Sequence, residues 1–237
     1  MKKLLLMILA ILCISPVLAQ VDDEETVPTN RGFGKEKKSA FFIGPKIGGT
    51  MTSMTQPAEC DLYDGSSFGF SGGIAMKARF GTATENSIGG TGPIGVGLEL
   101  KYKQNNVKTI AGTDLKLGYF ELPVTFQLYP FIKSRAMNSF YIEVGPSVGM
   151  LLSKSPDALS VDVNEPYPGT QRVTYHTGDL KGFDVHPMFG IGYTIPNTGF
   201  DINARYYLGT NELAENFKCK MSTIEISISW LFKVAKF

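Results

Sequence analysis

Eleven charged side chains lie at alternate positions inside otherwise apolar segments, and they are the chain's main candidates for chemistry. Lys77 and Arg79 are two residues apart, as are Glu99 and Lys101. Charges among apolar residues must be paired or hydrated, because an isolated charge is costly to remove from water. The set therefore predicts a network of ion pairs, with a proton path or an ion-selectivity site as the alternatives. Its members are Lys46, Lys77, Arg79, Glu99, Lys101, Glu121, Glu143, Asp184, Asp201, Arg205 and Glu225.

A histidine near carboxylates has the residue types of a general base. Asp184 and His186 share a face two residues apart, and we expect Asp201 across from them on the next strand. The other histidine of the chain is His176, and no serine stands with either at a spacing typical of a lipid hydrolase or acyltransferase. We therefore predict that the protein is not an enzyme and that His186 is a hydrogen-bonding residue of the interior.

The segments that carry these charges are predicted β-strands. Large apolar residues occupy every second position from Ile224 to Phe232. A period of two indicates a strand whose two faces meet different media. Most such segments are long enough to cross a bilayer when tilted, where about 9 to 11 residues suffice. The eight candidates are Ala40–Met51, Ser67–Phe80, Pro93–Gln104, Leu115–Tyr129, Ser139–Leu152, Gly182–Thr194, Phe200–Thr210 and Thr223–Val234.

The polarity of the two strand faces distinguishes a membrane barrel from a soluble one. One face carries large apolar residues such as Phe68, Phe70 and Ile74, whereas the other carries glycines and the charged set. A solvated exterior would be rich in Lys and Glu, while a narrow interior needs small residues beside a few long ones. We therefore predict an all-β fold, an eight-stranded antiparallel up-and-down transmembrane β-barrel over residues 40–237, whose lumen is plugged by the charged set.

The strands also make three finer predictions. Four prolines lie within strands, and a closed barrel has no free edge for a residue without an N–H, so we expect β-bulges at them. The alternation of the fourth strand changes phase between Leu117 and Phe120, which predicts a further bulge there. Aromatic residues at the periplasmic strand ends predict an interfacial girdle. The prolines are Pro45, Pro123, Pro146 and Pro187, and the girdle residues are Phe80, Tyr129, Phe131, Tyr193, Phe200 and Phe232.

The first nineteen residues have the form of a cleaved export signal. Lys2 and Lys3 precede an apolar stretch, and Ala19 ends a sequence that suits signal peptidase. Residues 20–39 lack periodicity and have few large apolar groups, so we expect a disordered periplasmic leader. Removing the two lysines leaves 21 of the 23 basic residues against 22 acidic ones, a net charge of −1. This balance argues against a nucleic-acid partner.

Two cysteines remain after the signal, Cys60 in the first long loop and Cys219 in the last. The first and last strands of a closed barrel are neighbours, so these loops leave the barrel side by side. An oxidising compartment permits a bond between them. We therefore predict a Cys60–Cys219 disulfide.

The longest loop, Ser153–Lys181, has two β-prone runs around a Pro/Gly turn, which predicts a hairpin extending from the barrel. Tyr167, Arg172 and Tyr175 in this hairpin are of kinds enriched in binding sites. A solvated hairpin without a partner is the alternative. Its acidic residues lack the spacing of a calcium site, and we expect no metal or other cofactor.

Four segments carry a family resemblance: Tyr119–Pro123, Phe140–Pro146, Arg205–Gly209 and Trp230–Phe232. They resemble the PorT-like outer-membrane β-barrels of Bacteroidetes over about residues 41–232. The resemblance implies the cell outer membrane as location and carries no catalytic signature. Some members of that group are implicated in protein secretion.

These observations predict a monomeric outer-membrane barrel that acts as a structural or surface-binding protein through its extracellular loops. Its expected partners are outer-membrane lipid, the barrel assembly machinery during biogenesis, and a periplasmic or surface protein. One alternative is a PorT-like component supporting protein secretion, with the leader and the turn Gly81–Gly92 as periplasmic docking surface. The other alternative is a narrow porin-like channel.

Overall fold

The computed structural model describes residues 39–55, 63–80, 92–110, 112–132, 134, 137–164, 170–195, 198–214 and 219–236. The predicted signal peptide, the leader before residue 39 and most of the turn Gly81–Gly92 lie outside these ranges. No helix within the ranges is long and apolar enough to cross a membrane. The strands found there are β1 (Ala40–Thr55), β2 (Tyr63–Phe80), β3 (Ile94–Thr109), β4 (Asp114–Leu128), β5 (Phe140–Ser155), β6 (Ala158–Asn164), β7 (Thr170–His176), β8 (Phe183–Thr194), β9 (Phe200–Tyr207), β10 (Lys220–Trp230) and β11 (Phe232–Lys236), with one short 3₁₀ helix at Thr177–Asp179.

Nine of these strands close into a barrel with eight wall positions. The order around the wall is β10-β9-β8-β5-β4-β3-β2-β1-β11, and β10 also pairs with β1. Strands β10 and β11 share one position, because β10 pairs with residues 46–55 of β1 and β11 with residues 40–43. Every neighbouring pair is antiparallel. The predicted closed eight-stranded antiparallel barrel is confirmed.

The two ends of the barrel differ in their connections. At one end, here called the loop end, β1, β2, β3 and β5 run three to five residues beyond their predicted limits. The longest connection, between β5 and β8, leaves from this end, and the predicted hairpin is present in it as β6 and β7, which pair only with each other. The opposite end, here called the turn end, carries the short connection between β8 and β9.

The outward face is apolar over the middle of the wall, as the sequence predicts. Phe68 is 76% exposed and Ile47 is 71% exposed, and large exposed apolar residues occur on every wall strand. In water such a surface would be costly, whereas lipid is a suitable medium for it. Phe80, Phe131, Phe200 and Phe232 are exposed near the turn end, as a girdle requires. Tyr129 is only 2% exposed and contacts Arg79 in the interior, so its assignment to the girdle is wrong.

The bulges expected at the prolines are not found in the described registers. Pro45 lies opposite Ile74 in an unshifted β1–β2 ladder, and Pro146 lies opposite Pro187 in an unshifted β5–β8 ladder. The β3–β4 register is the same on both sides of Pro123. A strand residue directs its N–H toward one neighbour only, so a proline removes one ladder bond without requiring an extra residue.

A register shift does occur at the predicted height of the fourth strand, but its extra residue is on β5. Gly118 pairs with Ser153 and Tyr119 pairs with Leu151, which leaves Leu152 as the inserted residue. Strand β4 keeps its own alternation, and Leu117 faces inward with no exposed surface. The predicted change of phase in β4 is therefore wrong.

The inward direction of Leu117 follows from an apolar core inside the loop end. Outward positions at this height include the exposed lysines Lys108, Lys116 and Lys220. The wall beyond the apolar belt therefore has the polarity of a water-soluble protein, polar outside and apolar inside. This loop-end core consists of Met54, Val107, Leu115, Leu117, Tyr119, Leu159, Leu213, Ala214, Cys219 and Met221, with Leu151 and Leu180 packed against it.

Candidate functional site

The structure places the charged set in the barrel interior, in layers from the turn end to the loop-end core. Ten of its eleven members are at most 8% exposed, and Asp184 is half-buried near the loop end. Alternation along each strand directs these side chains inward, and the glycines between them leave the space that long side chains need.

The layer nearest the turn end is centred on Asp201. Lys77 donates to Asp201 at 2.6 Å, and the hydroxyls of Tyr141 and Thr194 donate to the same carboxylate at 2.8 and 2.6 Å. The Lys77 ammonium also lies 3.9 Å from the centre of the Tyr141 ring. Three donors, one of them a cation, thus satisfy a carboxylate whose burial would otherwise be costly.

Arg205 connects two carboxylates in the middle layer. Its Nε and Nη2 donate to Glu143 at 2.6 and 3.1 Å, and its Nη1 donates to Glu99 at 2.7 Å. Lys46 donates to the second oxygen of Glu99 at 2.9 Å and to Asn203 at 3.3 Å. Gln127 completes the surroundings of Glu143 with a bond of 3.1 Å. This layer spans the lumen from β1 to β9 through charge-assisted bonds.

The next layer toward the loop end is centred on Glu225. Lys101 donates to Glu225 and, at 2.7 Å, to the hydroxyl of Tyr207. Tyr207 in turn donates to Glu225 at 2.8 Å, and Ser71 donates to its other oxygen at 2.7 Å. Every partner in this group has at most 4% exposure. The layer is a closed hydrogen-bonded group.

One further ion pair was missed by the sequence reasoning. Lys103 is fully buried, its ammonium lies 2.6 Å from Glu121 Oε1, and it stacks 3.8 Å above the centre of the Tyr207 ring. Lys103 could have been found from its position two residues after Lys101, because alternate residues of one strand point to the same face. With Lys103 included, the set has six basic and six acidic members, so the interior charges balance.

Two members of the set do not pair with an opposite charge in the described residues. Arg79 donates to the carbonyl oxygens of Gly92 and Asn138 at 2.8 Å each, and its guanidinium lies 3.7 Å from the centre of the Tyr129 ring. Asp184 accepts a bond of 2.8 Å from Asn211 at the loop end. Arg79 thus binds connecting segments at the turn end, and Asp184 binds one at the loop end.

The arrangement expected around His186 is not formed. Its Nδ1 lies 3.5 Å from Asp184, and neither ring nitrogen makes a hydrogen bond within the described residues. The hydrogen bond expected for His186 is therefore not found among the described residues, and its bonding role stays a prediction. Asp201 belongs to the turn-end layer with Lys77, because β8 carries Asp184 near its start and the residues facing Asp201 near its end. Asp201 therefore lies too far along the barrel from Asp184 and His186 to form the general-base arrangement that the sequence suggested.

The loop candidates are described only in part. Cys219 is buried in the loop-end core, while Cys60 lies outside the described residues, so the disulfide stays a prediction. Arg172 and Tyr175 lie on β7, opposite Asp162 and Leu159 of β6. Tyr167 lies outside the described residues.

Within the described residues, two different kinds of side chain fill the lumen along its axis. Paired charges fill the section between the turn end and Lys103, and apolar side chains fill the section beyond it. Eight strands leave an interior just wide enough for side chains. The arrangement is suited to holding the wall together and offers no ring of unpaired charge to a passing ion.

The fold is similar to that of several solved outer-membrane proteins. Neisserial surface protein A is 14% identical, with a TM-score of 0.41 over 83% of this chain and 100% of that chain. OprG from Pseudomonas aeruginosa is 12% identical, with a TM-score of 0.42 over 84% and 99%. Ail, the attachment invasion locus protein of Yersinia pestis, is 12% identical, with a TM-score of 0.41 over 81% and 99%. At these values the likeness concerns the fold alone, and no curated protein matches the chain.

A family model described as "Outer membrane protein beta-barrel domain" matches residues 19–215. The matched region includes the wall strands from β1 to β9 and the hairpin. This description agrees with the outward apolar belt and with the closed barrel. Because the match covers far more than half of the chain, the protein belongs to the outer membrane protein beta-barrel domain family.

Proposed function

We propose that the protein is a non-conducting, non-enzymatic barrel of the outer membrane that acts as a structural or surface-binding protein through its loop end. The observation that carries this proposal is the filled lumen. We assign the loop end to the cell exterior, because outer-membrane barrels have long extracellular loops and short periplasmic turns.

The buried charges support a non-conducting interior. An ion pathway needs hydrated or only partly satisfied groups, so that an ion can enter and leave. Here the carboxylates of Asp201, Glu143 and Glu225 each accept at least two hydrogen bonds from protein side chains. Moving an ion through these layers would require breaking several charge-assisted bonds at once.

The hairpin supports a binding role at the surface. Leu159 of β6 is 2% exposed and packs in the loop-end core, which attaches the base of the hairpin to the barrel. Thr177, just after β7, donates to the carbonyl oxygens of Pro156 and Asp157 at 2.8 Å each. An attached hairpin loses less conformational freedom on binding than a free loop does. Tyr167, Arg172 and Tyr175 are our candidates for its contact residues.

Single-channel recording of the refolded mature chain in a planar bilayer tests the filled lumen. We expect no discrete openings from the wild type or from a variant lacking residues 158–176, because the charge layers remain in both. The heat-dependent gel mobility of the reconstituted proteins controls for their folding and insertion. Steady openings of the wild type would favour the narrow-channel alternative and contradict the proposal.

A deletion strain separates the surface role from the secretion alternative. We expect normal amounts of secreted proteins in the medium, together with loss of whichever surface interaction or envelope property the barrel supports. Complementation with a Tyr167→Ala, Arg172→Ala and Tyr175→Ala variant should restore envelope integrity but not a surface interaction. Impaired export of secreted proteins would instead support a PorT-like role.

A further inference from the structure

We propose that the loop end of the barrel contains a binding site for an uncharged amphiphile with a hydroxyl-bearing head. Its apolar chain would replace loop side chains in the loop-end core, and its head would reach the polar layer of Lys103, Glu121 and His186 just beneath. This site goes beyond the structural and surface roles proposed above and does not depend on the hairpin tip.

The wall of the loop end forms an apolar cup. Met54, Leu117 and Met221 line it from β1, β4 and β10, and all are at most 5% exposed. Along β4 the apolar lining runs from Leu115 to Tyr119, four residues or about 13 Å at the usual rise per residue. Eight-stranded barrels can hold one small ligand at this width.

Connecting segments rather than wall strands fill the centre of the cup. Leu213 and Ala214 come from the connection between β9 and β10, and Leu180 from the segment before β8. Separate backbone bonds outside any ladder hold these segments: Lys181 N donates to Leu213 O at 2.8 Å, Leu213 N donates to Cys219 O at 3.0 Å, and Leu151 N donates to Gly182 O at 2.9 Å. Segments outside a ladder open at a lower free energy than ladder strands do.

The floor of the cup carries buried polar atoms without hydrogen-bond partners in the described residues. These atoms are Lys103 Nζ, Glu121 Oε1 and both ring nitrogens of His186, although Lys103 and Glu121 retain their ion pair. Lys103 and Glu121 are fully buried and His186 is 4% exposed. Such atoms are rare in proteins and mark a place where a ligand or water belongs.

A glycine leaves space beside this floor. Gly149 pairs with Glu121 on one side and with Asp184 on the other. A Cβ placed at Gly149 would meet only ordinary contacts, the nearest being Glu121 Cγ and Tyr119 Cδ1 at 3.5 Å each. A side chain here would therefore fit the wall but occupy the space beside Glu121 and Tyr119, here called the recess, next to the unpartnered atoms.

The charges around the recess select an uncharged head. Lys103 faces it from β3, Glu121 from β4, Asp184 from β8 and Tyr207 from β9, with the Lys101–Glu225 pair in the layer below. An anionic head would meet two carboxylates, one of them without a cationic partner, and a cationic head would meet Lys103. A hydroxyl can donate to Glu121 and accept from Lys103 or His186. No group of three His, Cys, Asp or Glu side chains in the described chain has the geometry of a metal site.

Calorimetric titration of the full mature chain in phosphatidylcholine nanodiscs tests the site, with empty nanodiscs as the blank. The probes are 1-octanol and octanoate, which share a chain length and differ in the head. We expect one saturable octanol site per barrel and binding of octanoate weaker by at least about fivefold, the factor that corresponds to about 1 kcal/mol, a typical net hydrogen bond.

Three variants sharpen the test. Gly149→Val should weaken octanol binding at least about fivefold by filling the recess, and His186→Leu should do so by removing a head partner. Gly49→Val is the matched control, because a Cβ at Gly49 meets nothing within 4 Å and points away from the lumen. Absence of a saturable site in the wild type would overturn the proposal, as would equal affinities for Gly149→Val and wild type. Conductance of the wild type would leave these affinities unaffected, so the two proposals fail separately.

Discussion

Replacing Arg205 by Met is the most direct test of the charged interior. Arg205 is 3% exposed and supplies three charge-assisted hydrogen bonds, at 2.6 and 3.1 Å to Glu143 and at 2.7 Å to Glu99. After its removal Glu99 keeps Lys46 at 2.9 Å, whereas Glu143 keeps only the neutral donor Gln127 at 3.1 Å. The main cost therefore comes from Glu143, a buried carboxylate left without a cation.

Breaking a buried ion pair by removing one partner costs about 3–5 kcal/mol. We expect Arg205→Met to lower the free energy of unfolding by that amount. Adding Glu143→Gln should recover most of the loss, because replacing both members of a buried pair by neutral residues is often close to neutral. Lys116→Met removes an exposed cation instead and should change stability by less than about 0.5 kcal/mol.

Urea unfolding of the four proteins in lipid vesicles, followed by the heat-dependent mobility of the folded barrel on gels, gives these free energies. A loss below about 1 kcal/mol for Arg205→Met would mean that Glu143 is hydrated, and the sealed-lumen reasoning would fail. If Arg205→Met with Glu143→Gln were as unstable as Arg205→Met alone, the lost free energy of unfolding would come from packing around the Arg205 side chain. It would then not come from the unpaired charge of Glu143.

Three further predictions concern the wall and the loop end. Leu117→Ala should cost about 2–5 kcal/mol in the same unfolding assay, as for a core leucine, and a smaller loss would deny the apolar core. Gly44→Ala should abolish the folded gel form, because its Cβ would overlap the Trp230 carbonyl oxygen, whereas Gly49→Ala should fold normally. Reductant should change the gel mobility of the mature chain, and without it neither Cys60 nor Cys219 should be alkylated; equal mobility with two labelled thiols would refute the disulfide.

The wall strands could be predicted because a single contrast governs them. Between lipid and a narrow lumen every second residue must change polarity, so Ile224, Ile226 and Ile228 face outward at 47–61% exposure while Glu225 between them is buried. Strand limits were less predictable. The contrast between apolar outward and polar inward residues is lost where β1, β2, β3 and β5 extend beyond the apolar belt. Strand pairing continues there, but the alternation that would predict it is absent.

Two errors of interpretation, those at Leu117 and Lys103, have one physical source. The sequence reasoning assumed a polar interior along the whole barrel, so the apolar Leu117 was assigned to the outward face and required a change of phase. The structure shows that the interior changes from polar to apolar at about the height of Tyr119. Lys103 was missed near the same boundary. Which loops fold into the loop end depends on packing between distant segments, such as those that bring Leu159 and Leu213 into one core, and no local pattern encodes it.

The change of polarity along the axis bears on function. A barrel sealed only by ion pairs could be opened by one change in charge, and a barrel sealed only by loops could be opened by moving them. Here the layers of Arg205 and Glu225 and the loop-end core use different chemistry and have no residue in common. Moving the loops would expose the apolar cup and the polar floor with Lys103 while the lower layers stay closed. An interior built in this way can admit a ligand at the loop end without becoming a pore, which links the proposed binding site to the proposed absence of conductance.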